Sequence, residues 1–141
     1  MAPKWQRDLL STVAESFPKL PTPNIVIDTL CRDKGIVDSY VNDPLVNHGL
    51  LTARLTIELL KAVDQAQLSA KQGKVKFPYL LMHGTDDRVC LPEGSREFHK
   101  ASSSTDKTFV EYDLAYHELL NEPDHQDKAL KDILDWINER V

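Results

Sequence analysis

Apolar residues recur every four positions at Trp5, Leu9, Val13 and Phe17, which predicts a helix of about four turns with one apolar stripe. Pro18, Pro21 and Pro23 end that helix, and with Thr22 between the last two the stretch reads as a turn-rich linker. Residues 24–38 mix apolar and charged side chains without a clean period, so an irregular segment or a short helix is expected there. Asp38 to Leu45 reads as an ordered loop. From about Leu50 to Gln67, Leu51, Leu55, Ile57, Leu59, Leu60 and Val63 predict a long amphipathic helix with no proline inside. Glu58 and Lys61, three apart, belong to its solvated side, and Gln72-Gly73-Lys74 ends it.

Beyond Gly73 the pattern becomes strand, helix, strand, helix. Lys76 to Met82 is predicted as a strand and Pro92 to Ala101 as a short helix carrying Phe98. Lys107 to Tyr112 alternates with period two, and His125 to Val141 places Ala129, Ile133, Trp136 and Ile137 on one helical face. Strands alternating with helices argue for parallel α/β winding. A buried parallel sheet, however, needs strand neighbours on both edges and helices on both faces. Two strands do not supply them. Residues 74–141 therefore read as the end of a larger doubly wound sheet, and residues 1–73 as a helical segment preceding it.

Composition narrows the classes. The chain has 141 residues, one domain's worth, with 41% apolar and 28% charged side chains. A net charge of −5 with both signs interleaved leaves no basic stripe, which argues against a nucleic-acid partner. Cys31 and Cys90 stand far apart with no C-x-x-C, so reduced thiols are expected rather than a disulfide or a zinc site. No apolar run is long enough to span a bilayer, and Met1 to Asp8 lacks the apolar core of a signal peptide. The expectation is a soluble cytoplasmic protein.

The chemistry concentrates in Phe77-Pro78-Tyr79-Leu80-Leu81-Met82-His83-Gly84-Thr85-Asp86-Asp87-Arg88-Val89 and, thirty positions after Asp87, in Ala115-Tyr116-His117-Glu118. A short apolar run ending in a glycine turn hands a buried strand over to a loop. An acid just past that strand end, then a second strand, then a histidine, follows the chain order of the acid and base of an α/β-hydrolase triad. In such a triad the acid holds the histidine in the required tautomer and stabilises its imidazolium form. Gly-Asp-Asp turns and lone surface histidines are common, so neither feature is distinctive alone; around two correctly placed strands the pair is. A metal reading fares worse. His117-Glu118-Leu119-Leu120-Asn121 begins like H-E-x-x-H, but Asn121 replaces the second ligand, and His48, His83 and His99 are scattered. These three read as ordinary surface or packing residues. No metal or other cofactor is expected.

In these residues the chain resembles the monoacylglycerol lipase and lysophospholipase branch of the α/β hydrolases, the serine-aminopeptidase-like Hydrolase_4 group. The resemblance runs through Asn42-Asp43-Pro44-Leu45, the helix from Leu50 to Ala66, the strand from Phe77 to Gly84, Asp87-Arg88-Val89-Cys90, Asp106-Lys107-Thr108, and Ala115 through Glu122. It implies an α/β fold: the last two parallel strands of an α/β hydrolase with their helices, preceded by a helical cap. It makes Asp87 the triad acid, since the group's pattern is Gly-x-x-Asp and Gly84 selects Asp87 over Asp86, and it makes His117 the general base. Asp86 is then a solvated turn residue, Arg88 and Cys90 order the loop, and Glu122 helps start the last helix. Leu114 stands where relatives commonly have Gly, which predicts a shift of the His117 loop. The implied reaction is hydrolysis of a carboxylic ester of a monoacylglycerol or lysolipid, with the cap offering an apolar face, at Leu50-Leu51 and Leu59-Leu60, for peripheral membrane contact.

The nucleophile half is missing. A nucleophile elbow needs G-x-S-x-G, because small residues let the backbone make the strained strand-to-helix turn. No two of the glycines at 35, 49, 73, 84 and 94 are four apart, and Ser95, on the helix after the acid loop, is on the wrong element. The oxyanion-hole segment is absent as well. Three alternatives stay open: a partial serine hydrolase lacking its N-terminal half, one half of a two-chain hydrolase, or a non-catalytic truncated product or interaction module that self-associates. Met1 falls inside the cap region, which points to truncation.

Overall fold

The computed structural model describes residues 4–141. Met1, Ala2 and Pro3, which carry part of the leader reading and the start of the 1–73 segment, lie outside the described residues.

Helix α1, Lys4–Ser16, packs against α3, Ala53–Lys71. The contact face is Leu10 and Ala14 of α1 on Ala53, Ile57 and Leu60 of α3. This overturns the stripe read from sequence: Trp5, Leu9 and Phe17 are 65%, 58% and 66% exposed, whereas Ala14 is 1% exposed. The four-residue period was right for a helix, but a small residue allows closer helix approach than an aromatic one, and the face carrying Ala14 took the core. Strand β1, Pro21–Thr22, pairs antiparallel with β2, Leu51–Thr52, closing the intervening segment into a loop. The Thr22 hydroxyl donates to the Leu51 carbonyl at 3.1 Å and accepts from Thr56 at 2.8 Å. Inside the loop, α2 spans Lys34–Asn42 and so converts most of the expected 38–45 loop to helix. The cause is Asp33, whose Oδ1 accepts from the Gly35 and Ile36 amides at 2.7 and 3.4 Å and caps the helix. Only Val37 of this helix is buried, so the apolar period is too faint to read.

Thr52 caps α3 and Gln72 ends it, followed by Gly73 in the left-handed region at φ 67°. The back half is β3, Tyr79–Gly84, α4, Pro92–Ala101, β4, Lys107–Tyr112, and α5, Gln126–Asn138. β3 and β4 run parallel, from Tyr79 opposite Lys107 to Gly84 opposite Tyr112. The strand starts later than Lys76 because Pro78 has no N–H to give; the Tyr79 amide makes the first bond, to the Asp106 carbonyl at 3.2 Å. Tyr112, Ala115 and Ala129 form the core here, with Met82, Val110 and Leu119 packed on it. Among the described residues no third strand joins this pair. No described helix is long and apolar enough to cross a membrane.

Candidate active site

Gly84 sets the geometry. A Cβ there would lie 2.3 Å from the carbonyl oxygens of both Ala115 and Tyr116, so only glycine lets the segment leading to His117 cross the end of β3. The Asp86 amide donates to the Ala115 carbonyl at 3.1 Å and holds the two loops together. Asp87, next along, is 4% exposed. Its Oδ1 accepts from the Val89 and Cys90 amides at 2.8 and 2.9 Å, a side-chain turn that freezes the carboxylate. Its Oδ2 lies 2.8 Å from His117 Nδ1. A carboxylate accepts, so Nδ1 carries the proton and Nε2 of His117 keeps a free lone pair. The structure thus brings the two sequence-predicted site residues into direct contact.

His117 is about one-third exposed, at 36%, and borders an open groove of about 400 Å³. Met82, Leu119, Leu120 and Ile133 make most of that groove apolar. Chemically, the arrangement is a general base, oriented from behind by a buried acid, at the edge of an apolar surface.

Asp86 turns outward to Arg88 at 3.2 Å. Cys90 is exposed and free, and partial withdrawal of its sulfur from water, then the charge of Asp87, push its thiol above the ordinary value. Cys31 is also free, but buried, and its thiol is raised chiefly by burial. Leu114 adopts φ 57°, the left-handed conformation that suits glycine, and its amide donates to the Thr85 hydroxyl at 2.8 Å.

Two arrangements escaped the sequence. Glu122 has its carbonyl at the start of α5, accepting from the Gln126 amide at 2.9 Å, but its fully buried side chain does something else. It takes the Arg32 amide at 2.8 Å and Arg32 Nε at 2.5 Å. Nothing in spacing connects residues ninety apart, so no sequence signal could have found this pair. His83, read as an ordinary packing residue, instead lies 3.2 Å from Asp87 Oδ2 through its Nε2. Its place four residues before Asp87 was the only available signal.

Comparison with known proteins gives a consistent result. The family model for Hydrolase_4, serine aminopeptidase S33, matches residues 1–124. A monoglyceride lipase of Rattus norvegicus is 33% identical over 126 residues, covering 89% of this chain and 41% of its own length. A monoacylglycerol lipase of Mycolicibacterium smegmatis is 33% identical over 120 residues, covering 85% and 42%. The crystal structure of Paleococcus ferrophilus monoacylglycerol lipase superimposes with a TM-score of 0.88 at 28% identity, over 99% of this chain and 54% of that one. The chain thus spans about two-fifths of the length of these curated relatives.

Proposed function

Because the chain belongs to the Hydrolase_4 family (serine aminopeptidase, S33) and has an α/β-hydrolase fold, we propose that Asp87 and His117 are the acid and general base of a serine carboxylic-ester hydrolase acting on monoacylglycerols or related lysolipids. Residues 1–73 act as its helical cap and 74–141 as the closing part of its core. The nucleophilic serine is supplied by polypeptide other than these 141 residues, since the sequence holds no G-x-S-x-G.

In this scheme the serine hydroxyl attacks the ester carbonyl while His117 Nε2 takes its proton. Asp87 Oδ2, bonded to Nδ1–H, stabilises the imidazolium that forms. The proton passes to the departing glycerol oxygen, leaving an acyl-serine. Water, deprotonated by His117, then attacks that ester and releases fatty acid. The groove lined by Met82, Leu119, Leu120 and Ile133 offers an apolar wall for the acyl chain. On the cap, Leu50 and Leu59 are 61% and 53% exposed, which supports peripheral contact with a lipid surface. The observation that carries the reading is the 2.8 Å contact between Nδ1 and a carboxylate whose other oxygen is already held by two amides.

The test is complementation. The chain is co-expressed with the part of the Paleococcus ferrophilus lipase outside the matched half, and monoacylglycerol hydrolysis and fluorophosphonate labelling are measured. Hydrolysis that falls about 10⁴-fold in Asp87→Asn and about 10⁶-fold in His117→Ala is expected. Hydrolysis indifferent to His117→Ala sinks the assignment. A second reading, an interaction module without catalysis, is favoured by the missing nucleophile; a stable complex that never hydrolyses ester supports it.

A further inference from the structure

Asp87 Oδ2 lies against two imidazoles, and only one of them belongs to the acid–base pair. The second is His83, on β3, with its side chain 11% exposed. Its Nε2 lies 2.7 Å from the Cys90 carbonyl oxygen and 3.2 Å from Asp87 Oδ2. A carbonyl only accepts, so Nε2 bears the proton and donates it to Cys90, while Asp87 Oδ2 touches the same nitrogen without an aligned hydrogen bond. Nδ1 is then an acceptor, and the Ser95 hydroxyl, on the first turns of α4, donates to it at 2.7 Å. Glu111 stands beside His83 in the sheet register, but it is paired at 2.6 Å with Arg96 of α4. Asp87 is therefore the charged partner in contact with the His83 ring.

We infer that Ser95 and His83 form a positioning relay for Asp87. The Ser95 hydroxyl locks His83 as the Nε2–H tautomer; that N–H holds the carbonyl of Cys90, whose amide grips Asp87 Oδ1, and the ring packs against the oxygen on which His117 rests. The inference deepens the proposed function and rests on its reading of Asp87 and His117. The physical need is clear from the donor set. The two amides anchor Oδ1, but among the described residues the one hydrogen bond to Oδ2 comes from His117, the very group it must hold still, so the His83 ring packed at 3.2 Å is what confines that oxygen. A hydrogen-bonded shell behind the first contact is what restricts such a group to one orientation. The serine, histidine and aspartate also line up like a triad. Yet Ser95 lies in a regular helix with Glu93 and Glu97 two places before and after it, where an elbow requires small residues.

Imidazole nitrogen and proton NMR on the intact 141-residue chain tests this without any substrate. The readout is the far-downfield Nδ1–H signal of His117, with backbone amide spectra reporting the fold. Asp87→Asn should abolish that signal. His83→Leu should broaden or remove it, His83→Gln should largely restore it through the amide N–H, and Ser95→Ala should weaken it while His83 shows mixed tautomers. If Asp87→Asn abolishes the signal but His83→Leu and Ser95→Ala leave it intact, the relay falls and the acid–base pair stands. If Asp87→Asn changes nothing, the pair itself falls. Should His83→Leu not fold, Ser95→Ala decides alone. Fluorophosphonate labelling of Ser95 overturns the positioning role outright.

Discussion

Two buried carboxylates flank His117 in the chain, and they are held in opposite ways. Asp87 is 4% exposed and Glu122 is 0% exposed. Asp87 is bonded by two backbone amides and the His117 imidazole, with the His83 ring in contact, so none of its partners is a guanidinium. Glu122 is bonded by Arg32, whose guanidinium never gives up its charge. The same group at the same depth is thus responsive in one place and inert in the other. Around Glu122 the contacts multiply between segments far apart in sequence. The Glu118 amide donates to the Leu30 carbonyl at 2.9 Å, and Cys31 Sγ to the Asn121 carbonyl at 3.1 Å. Arg32 Nη2 comes within 3.2 Å of Asp124 without an aligned hydrogen bond. Residues 30–32 therefore latch the loop that follows His117, while Asp87 contacts the histidine itself. Partner chemistry, more than burial, separates the two carboxylates.

The sharpest way to break this contrast is to remove one partner of each carboxylate. Arg32→Met leaves Glu122 buried without its cation, and a cost of about 3 kcal/mol is expected in the urea unfolding midpoint. The double variant Arg32→Met/Glu122→Met should recover most of it, because a well-packed apolar pair replaces a buried ionic one at little net cost. Asp87→Asn keeps an acceptor for the two amides and should cost no more than about 1–3 kcal/mol, while removing the carboxylate beside His117 Nδ1. An Arg32→Met variant as stable as the parent would show that the latch is ornamental.

Gly84→Ala comes next. Its methyl group would have to displace two carbonyl oxygens rather than a flexible side chain, for which about 1–3 kcal/mol is expected. The displaced atoms belong to residues 115 and 116, so the His117–Asp87 signal should weaken in the same variant. A destabilised protein with an intact signal would mean that the loop can shift without moving the histidine.

These positions differ in how far the sequence disclosed them. Asp87 and His117 were legible because each stands at a strand end, and strand ends show in local pattern: Gly84 closes one apolar run, and Lys107 to Tyr112 has an unmistakable period of two. The bounds of α4 were legible from Pro92, which starts a helix well. Arg32 and Glu122 were illegible because a contact ninety residues long leaves no periodic trace. His83 was seen but misread, since the neighbour that gives it meaning, Ser95, is brought close only by the turn between β3 and α4. The α1 stripe failed for another reason: periodicity identifies a face but not the direction in which it points. Leu114 lies between these cases. Its departure from the expected glycine was read as a shift of the loop, and the structure shows its backbone at φ 57°. Leu114→Gly should relieve about 1–2 kcal/mol of left-handed strain and lose about half of that to unfolded-state entropy. With the side chain 61% exposed, little packing is forfeited. A modest rise in melting temperature is the expected result, and a fall would mean that the strain is compensated by contacts of the leucine.

The smallest effect comes from the exposed counterpart of the Glu122 latch. Arg140, beyond the end of α5, grips Asp106 at the start of β4, Nε to Oδ2 at 2.9 Å and Nη2 to Oδ1 at 2.5 Å. Hydrogen bonding from Arg140, reinforced by its charge, holds the Asp106 carboxyl below its usual range. A carboxyl depressed in the folded state contributes stability that is present above its unfolded pKa, near 4, and is lost as pH falls through the lower folded value. Melting temperatures measured downward from neutral pH should therefore drop less steeply in Asp106→Asn than in the parent, and the difference should shrink in high salt because both side chains face water. The geometry is bidentate, as good as any in the molecule, yet the expected gain is slight; Arg32 and Glu122, with no better geometry, matter more because water cannot reach Glu122 to replace its partner. Equal salt sensitivity at the two pairs would mean that burial is not what distinguishes them.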